Sequence, residues 1–205
     1  MPALPLQTDA FVLSKRPPAD SFQLFTVFSP EHGSLFVLQR VSKKAASNQL
    51  ALDLFDEVAL GLESANQGQT WFVKEARLIA RHADLGRSYD TLRLASALAS
   101  LVARNTVADE SRASVATLLR QAFAAFAADA RPDFVWFKSL YRFARDEGHP
   151  LKEQWFPTLP AADREVVATL LNQPLAQQTA TVAAVERLTR RLEEYLRGHT
   201  EILLD

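Results

Sequence analysis

The chain has 205 residues, 48% of them hydrophobic and 23% charged, with a formal net charge of -1. Such proportions suit a globular chain that buries one large core or two small ones without covalent staples. Cysteine is absent, which excludes a disulfide scaffold, a thiolate zinc site, an iron–sulfur cluster and a cysteine nucleophile. No global basic field attracts polyanions, so any nucleic-acid binding needs a local patch. The start, Met1-Pro-Ala-Leu-Pro-Leu6, lacks the basic residues and apolar run of a secretory signal. Charges interrupt every apolar segment short of membrane-spanning length, so the expected location is the cytoplasm.

The first third reads as strands. Phe11–Lys15, Phe22–Phe28 and Leu35–Val41 are short, rich in aromatic and β-branched residues, and bounded by turn signals. Pro17-Pro18-Ala-Asp20 separates the first two, and Pro30-Glu-His-Gly33 the second and third, with Gly33 free to take positive φ in a hairpin. Leu52–Leu62 alternates with a period of two, its even positions apolar except Asp56. After the turn Ala65-Asn-Gln-Gly68, Trp71–Ile79 makes a fifth strand. Five short strands in about eighty residues are too few for an immunoglobulin sandwich and suit a small closed barrel of OB-fold type.

From about Ser88 the period becomes helical. Leu94, Leu98, Leu101 and Val102 form one stripe behind a cap at Ser88 or Asp90. A second helix after Asp109 and Ser111 turns Val115, Leu118, Leu119, Ala122, Phe123 and Phe126 inward. A third opens at Pro132, carries Phe134, Phe137, Leu140 and Tyr141, and stops at Gly148 and Pro150. A short helix spans Ala161–Leu171. The last runs from Gln177 to Leu196, with Val182, Val185, Leu188, Leu192 and Tyr195 on one side and the i,i+4 pairs Glu186–Arg190 and Arg190–Glu194 on the other. The expected fold is therefore α+β, an N-terminal five-stranded OB-fold barrel over residues 1–82 followed by an all-helical domain over 83–205.

This order of features resembles the bacterial recombination mediator RecO family. Asp20-Ser21, the apolar run after it and Glu31-His32-Gly33 match the family's pattern at the second strand, while Phe22 and Gln23 stand where an acidic-basic pair is usual. Arg40-Val-Ser-Lys43-Lys44-Ala-Ala-Ser47 resembles the family's basic loop, Gly148-His149-Pro150 its Gly-x-x-Pro passage, and Arg191–His199 its closing helix. Many members carry four zinc-binding cysteines after that passage. This chain has Gln154-Trp155-Phe156-Pro157-Thr158 instead, so the resemblance is to the zinc-free members. It implies an annealing and recombinase-loading protein of DNA repair that binds single- and double-stranded DNA, the protein RecR and the acidic, hydrophobic tail of single-strand-binding protein. It further implies the bacterial cytoplasm, at the nucleoid when bound to DNA.

The residues themselves suggest no enzyme. There is no nucleophile elbow, no phosphate-binding glycine loop and no His-Glu-x-x-His. His32, His82, His149 and His199 fall near element ends, away from metal-ligand spacing, so neither a catalytic residue, a metal nor a cofactor is expected. Charge is uneven in the barrel half. Lys15, Arg16, Arg40, Lys43 and Lys44 outweigh Asp20 and Glu31, whereas Lys74 and Arg77 are outweighed by Asp53, Asp56, Glu57, Glu63 and Glu75. One basic rim is what a phosphate-tracking groove needs, and Lys15, Arg16, Arg40, Lys43 and Lys44 are the candidate DNA contacts. Phe25 is the candidate base-stacking aromatic, weighed against a place in the barrel interior, and Phe55 reads as structural. In the helical half Arg87, Arg93, Arg104, Arg112 and Arg120 read mainly as a solvated face, and Trp136 and Trp155 as packing residues. The alternative to a DNA-binding mediator is a non-catalytic adaptor whose barrel docks proteins only.

Overall fold

The computed structural model describes residues 5–19, 21–41, 50–65, 68–128 and 131–204. Its strands are β1 (Pro5–Lys15), β2 (Phe22–Ser29), β3 (Gly33–Arg40), β4 (Glu57–Ala65) and β5 (Thr70–Ala80). They close in the order β1-β2-β3-β5-β4, all neighbours antiparallel except β3 and β5. Ala10, Val12, Phe25, Val27, Val37, Val58, Leu60, Leu62 and Val73 fill the interior, none more than 6% exposed. The fold is α+β, strands first and helices after.

Two strands differ from expectation. β1 begins at Pro5 rather than Phe11, because Pro5–Ala10 pairs residue by residue with β4, from Pro5 opposite Glu63 to Ala10 opposite Val58. Gln7, Thr8 and Asp9 are polar, and the partner strand supplies the backbone hydrogen bonds of this stretch. β4 begins at Glu57 rather than Leu52, and the exception in its alternation explains why. Asp56 is fully buried and takes a forked ion pair from Arg81, Nε to Oδ1 at 2.8 Å and a terminal nitrogen to Oδ2 at 2.5 Å. Its Oδ2 also accepts the Asp53 amide at 2.9 Å. A carboxylate inside a protein needs such partners, and the chain turns here to bring them together. Phe55 is held at φ 67° in that turn, unusual for a residue with a side chain, while its ring is buried.

The helices are α1 (Tyr89–Arg104), α2 (Arg112–Ala127), α3 (Pro132–Asp146), α4 (Leu151–Gln154), α5 (Ala161–Asn172) and α6 (Val182–His199). The inward stripes expected for α1, α2 and α3 are buried throughout. On α6 the buried stripe is Val185, Leu188, Thr189, Leu192 and Leu196, whereas Val182 is 51% exposed and Tyr195 lies half-buried, stacked on His199. The helix starts at Val182 rather than Gln177 because Thr181 caps it, its hydroxyl accepting the Ala184 amide at 3.3 Å. α4 is one turn long, too short to leave a periodic signal.

By contact the chain forms two compact units, Met1–His82 with Val102–Thr117, and Ala83–Leu101 with Leu118–Asp205. Within the first unit the β2–β3 hairpin is tied down from both sides. The Pro30-Glu31-His32 turn ends in Gly33 at φ 69°, the left-handed residue of a three-residue hairpin loop. The Ser29 hydroxyl accepts the amides of Glu31 and His32. The Thr8 hydroxyl reaches across to the Glu31 carboxylate at 2.6 Å. Arg112, the first residue of α2, donates to the Glu31 carbonyl at 3.1 Å and pairs with Asp109 at 2.5 Å. It is thus no solvated-face arginine. The Glu-His-Gly resemblance motif serves as a structural lock.

Two predictions follow from the lock. A Cβ at Gly33 would lie 3.0 Å from Arg112 Nε, so Gly33→Ala should cost about 1–2 kcal/mol from backbone strain alone and more from the side-chain approach. Equilibrium denaturation should find a smaller cost in an Arg112→Ala background, and equal costs would show the approach to be immaterial. The Glu31 carboxyl is held below its ordinary value of 4.5 by the Thr8 hydrogen bond, against the opposing effect of burial and with help from Ser29. Its contribution to stability is therefore complete above pH 4.5 and is lost as pH falls through the lowered folded value. Melting curves from neutral pH down to about 3 should show Thr8→Val less stable at neutral pH, with a shallower acid loss than the parent.

Candidate nucleic-acid interface

β2 begins between two exposed arginines. On one side Arg16 follows β1, its amide donating to the Leu24 carbonyl at 2.9 Å and its carbonyl accepting from Gln23 Nε2 at 2.9 Å. On the other side Arg40 ends β3 directly opposite Phe22. Both arginine side chains face solvent. Lys15, also a candidate, is engaged instead, with Nζ 3.1 Å from Asp53 Oδ1. Burial raises the Asp53 carboxyl, yet the Lys15 hydrogen bond, the Leu54 amide and nearby Arg81 outweigh it and leave the group lowered. Lys43 and Lys44 lie outside the described residues. Of the basic candidates, the structure brings Arg16 and Arg40 together around the start of β2.

Phe25 is corrected. It is 1% exposed and packs in the barrel interior with Val27 and Val37, so it presents no ring to a base. It takes the interior place it was weighed against, and the even-numbered residues of β2 form the outer face. Phe22, Leu24, Leu38 and Phe72 are half-buried there, and Phe36 is 49% exposed. Register confirms the shared face, since Leu24 pairs with Leu38, Thr26 with Phe36, and Leu38 with Phe72 across the parallel ladder. Phe22 and Phe72 meet with ring centroids 5.4 Å apart at 54°. Both faces of β2 carry large apolar residues, so alternation alone leaves the choice of inner face open. One signal pointed the wrong way: the inner face of β3 carries Gln39, whose side chain donates to the Leu50 carbonyl and accepts the Leu52 amide. A polar residue there binds the returning chain rather than solvent.

The second unit contains a cavity of about 950 Å³ among α2, α3, α4 and α5, a size usual for ligand sites. Leu171 and Phe156 contribute apolar surface, and Lys138, Arg142, Arg145 and Lys152 contribute positive charge. Lys138 donates to the Gln173 carbonyl at 2.6 Å, and burial lowers its pKa. Arg142 holds the Gln121 side chain at 2.6 Å, while Arg145 pairs with Asp146 at 2.6 Å. None of the five arginines that recur along the first helices lines this groove; its arginines come from α3. Trp155 is buried against Phe137 and Tyr141, and Trp136 is buried with its indole nitrogen 3.3 Å from Glu193.

Among the described residues no three histidine, aspartate or glutamate side chains gather as a metal site requires, and no helix is long and apolar enough to cross a membrane. No protein-family model matches the chain, and no curated protein is similar to it.

Proposed function

We propose that the chain is a RecO-like recombination mediator, a non-enzymatic protein that holds DNA on its barrel and receives protein partners on its helical unit. The observation carrying this reading is the pair of exposed arginines, Arg16 and Arg40, on either flank of β2. Neither β2 nor β3 has a carboxylate at the even positions that form the outer face between them. Phosphates bind such cations by releasing condensed counterions, which makes affinity salt-dependent. The protein would bind single- and double-stranded DNA, anneal strands and, with RecR, help load recombinase at the nucleoid in the bacterial cytoplasm. The basic, apolar groove of the second unit has the chemistry to receive the acidic, hydrophobic tail of single-strand-binding protein. Cations at the rim would meet the acidic residues, and the apolar wall the hydrophobic ones. No chemical step and no cofactor belong to this reading.

The adaptor reading draws support from two observations, the pairing of Lys15 with Asp53 and the net charge of -1. Salt separates the two readings. Anisotropy of labelled single-stranded DNA should show binding that weakens steeply between two salt concentrations. Changing Arg40, Lys43 and Lys44 together to alanine should flatten the log-affinity against log-salt slope by about two to three units, at ~0.7 per contact on single strands and ~0.9 on duplex. A folded triple variant with an unchanged slope would eliminate this cluster as a phosphate contact and favour the adaptor.

The partner groove has its own test. A peptide copying the tail of single-strand-binding protein should bind the full chain. Reversing charge at exposed Lys152 should weaken that binding about tenfold, ~1.4 kcal/mol, without moving the melting temperature. Undiminished binding would put the peptide elsewhere.

A further inference from the structure

We propose that the outer face of β2, β3 and β5 is a stacking platform for the unpaired bases of single-stranded DNA, formed by Phe22, Phe36 and Phe72. This inference rests on the DNA-binding reading and goes beyond it, because it assigns strand selectivity to three residues that no charge argument identifies. Closure of the barrel sends Phe25, Val27 and Val37 inward, so the alternate residues must point out. There the chain places three phenylalanines with Leu24 and Leu38, a contiguous apolar surface of the kind that marks a binding site.

Charge decides which occupant fits. Arg40 stands opposite Phe22 and Arg16 lies on the other side of β2, both exposed. On β2 and β3 the face carries Thr26, Ser34 and aliphatic residues beyond the aromatics, while β5 after Phe72 carries exposed Lys74, paired with Glu63 of β4, and exposed Glu75. Cations at one end of an aromatic surface whose β2 and β3 positions hold no carboxylate match a polymer that alternates phosphates with flat rings. An acidic segment without apolar or ring-bearing residues would satisfy the arginines but not the aromatic face. The dimensions agree as well. Phe36 is two residues from Leu38, the neighbour of Phe72, a step of about 7 Å along a strand. The rings of Phe22 and Phe72 meet at 54° and therefore do not close into a stack of their own. In a duplex the base faces are already stacked on one another, so the platform gains contact only with unpaired strands.

The test uses the full chain with a labelled oligothymidine and a blunt duplex of equal length. Phe36→Ala, at the most exposed ring, should weaken oligothymidine binding about 5- to 150-fold, the equivalent of ~1–3 kcal/mol for one stacked base. The salt slope and the duplex affinity should stay unchanged, and Phe36→Trp should retain binding, with indole fluorescence quenched on adding oligothymidine beyond any change in the parent. Phe72→Ala should act in the same direction, and Phe36→Trp guards against a folding defect in either alanine variant. Unaltered oligothymidine affinity in both alanine variants, or equal losses on both DNAs, would overturn the platform while leaving DNA binding in place. If the unaltered protein binds neither DNA, the DNA-binding reading itself falls. Concentration-dependent dimers in sedimentation, abolished by Phe36→Ala, would assign the face to a second copy and overturn the proposal.

Discussion

Closing five strands into a ring allows only one face of each strand to fill the interior, and the filling is done by a narrow set of side chains. Phe25 is the largest of them, packed with Val27, Val37, Val58 and Leu60 where almost no surface is left. Small barrels need such bulk in the middle. Once Phe25 occupies that space, the period of two sends Phe22, Leu24, Phe36 and Leu38 outward, because a strand cannot turn one residue without turning its neighbours the other way. The exposed aromatic surface and its flanking arginines are thus a consequence of how the interior is filled. Packing in one layer sets the chemistry of the next.

The same unit spends polar interactions on the places where strands must change direction. Asp56 gathers Arg81 and the Asp53 amide at the start of β4. Thr8, Ser29 and Glu31 brace the hairpin between β2 and β3, with Arg112 of α2 holding the Glu31 carbonyl. These groups are partly or wholly withdrawn from water, where each hydrogen bond made avoids a desolvation penalty. The hairpin they brace fixes the register of β2 against β3, and hence which residues stand beside Arg40.

In the second unit the polar groups of α3 are arranged differently. Its buried side carries Phe134, Phe137, Leu140 and Phe143, while Lys138, Arg142 and Arg145 border the groove. Asp163 of α5 is buried and holds Arg187 at 2.7 Å, with Arg191 at 3.7 Å. These ion pairs join α5 to α6, while Arg142 and Arg145 of α3 pair with Asp146 on their own helix.

Much of this architecture was legible in residue order alone. Turn residues and alternation located five strands, and the change of period near residue 82 separated strands from helices, because both signals depend on neighbours in sequence. The core stripes of α1, α2 and α3 were legible for the same reason. Sequence also determined that no thiolate chemistry exists in this chain. What only tertiary structure decided depends on partners far along the chain. Pro5–Ala10 is a strand because β4 lies beside it; Lys15 is engaged because Asp53 reaches it; Arg112 is a lock because Glu31 meets it. Phe25 and Phe22 exchange roles because β2 is apolar on both faces, and period two fixes which residues share a face but not which face is inside. That choice belongs to ring closure, which no single strand carries in its own sequence.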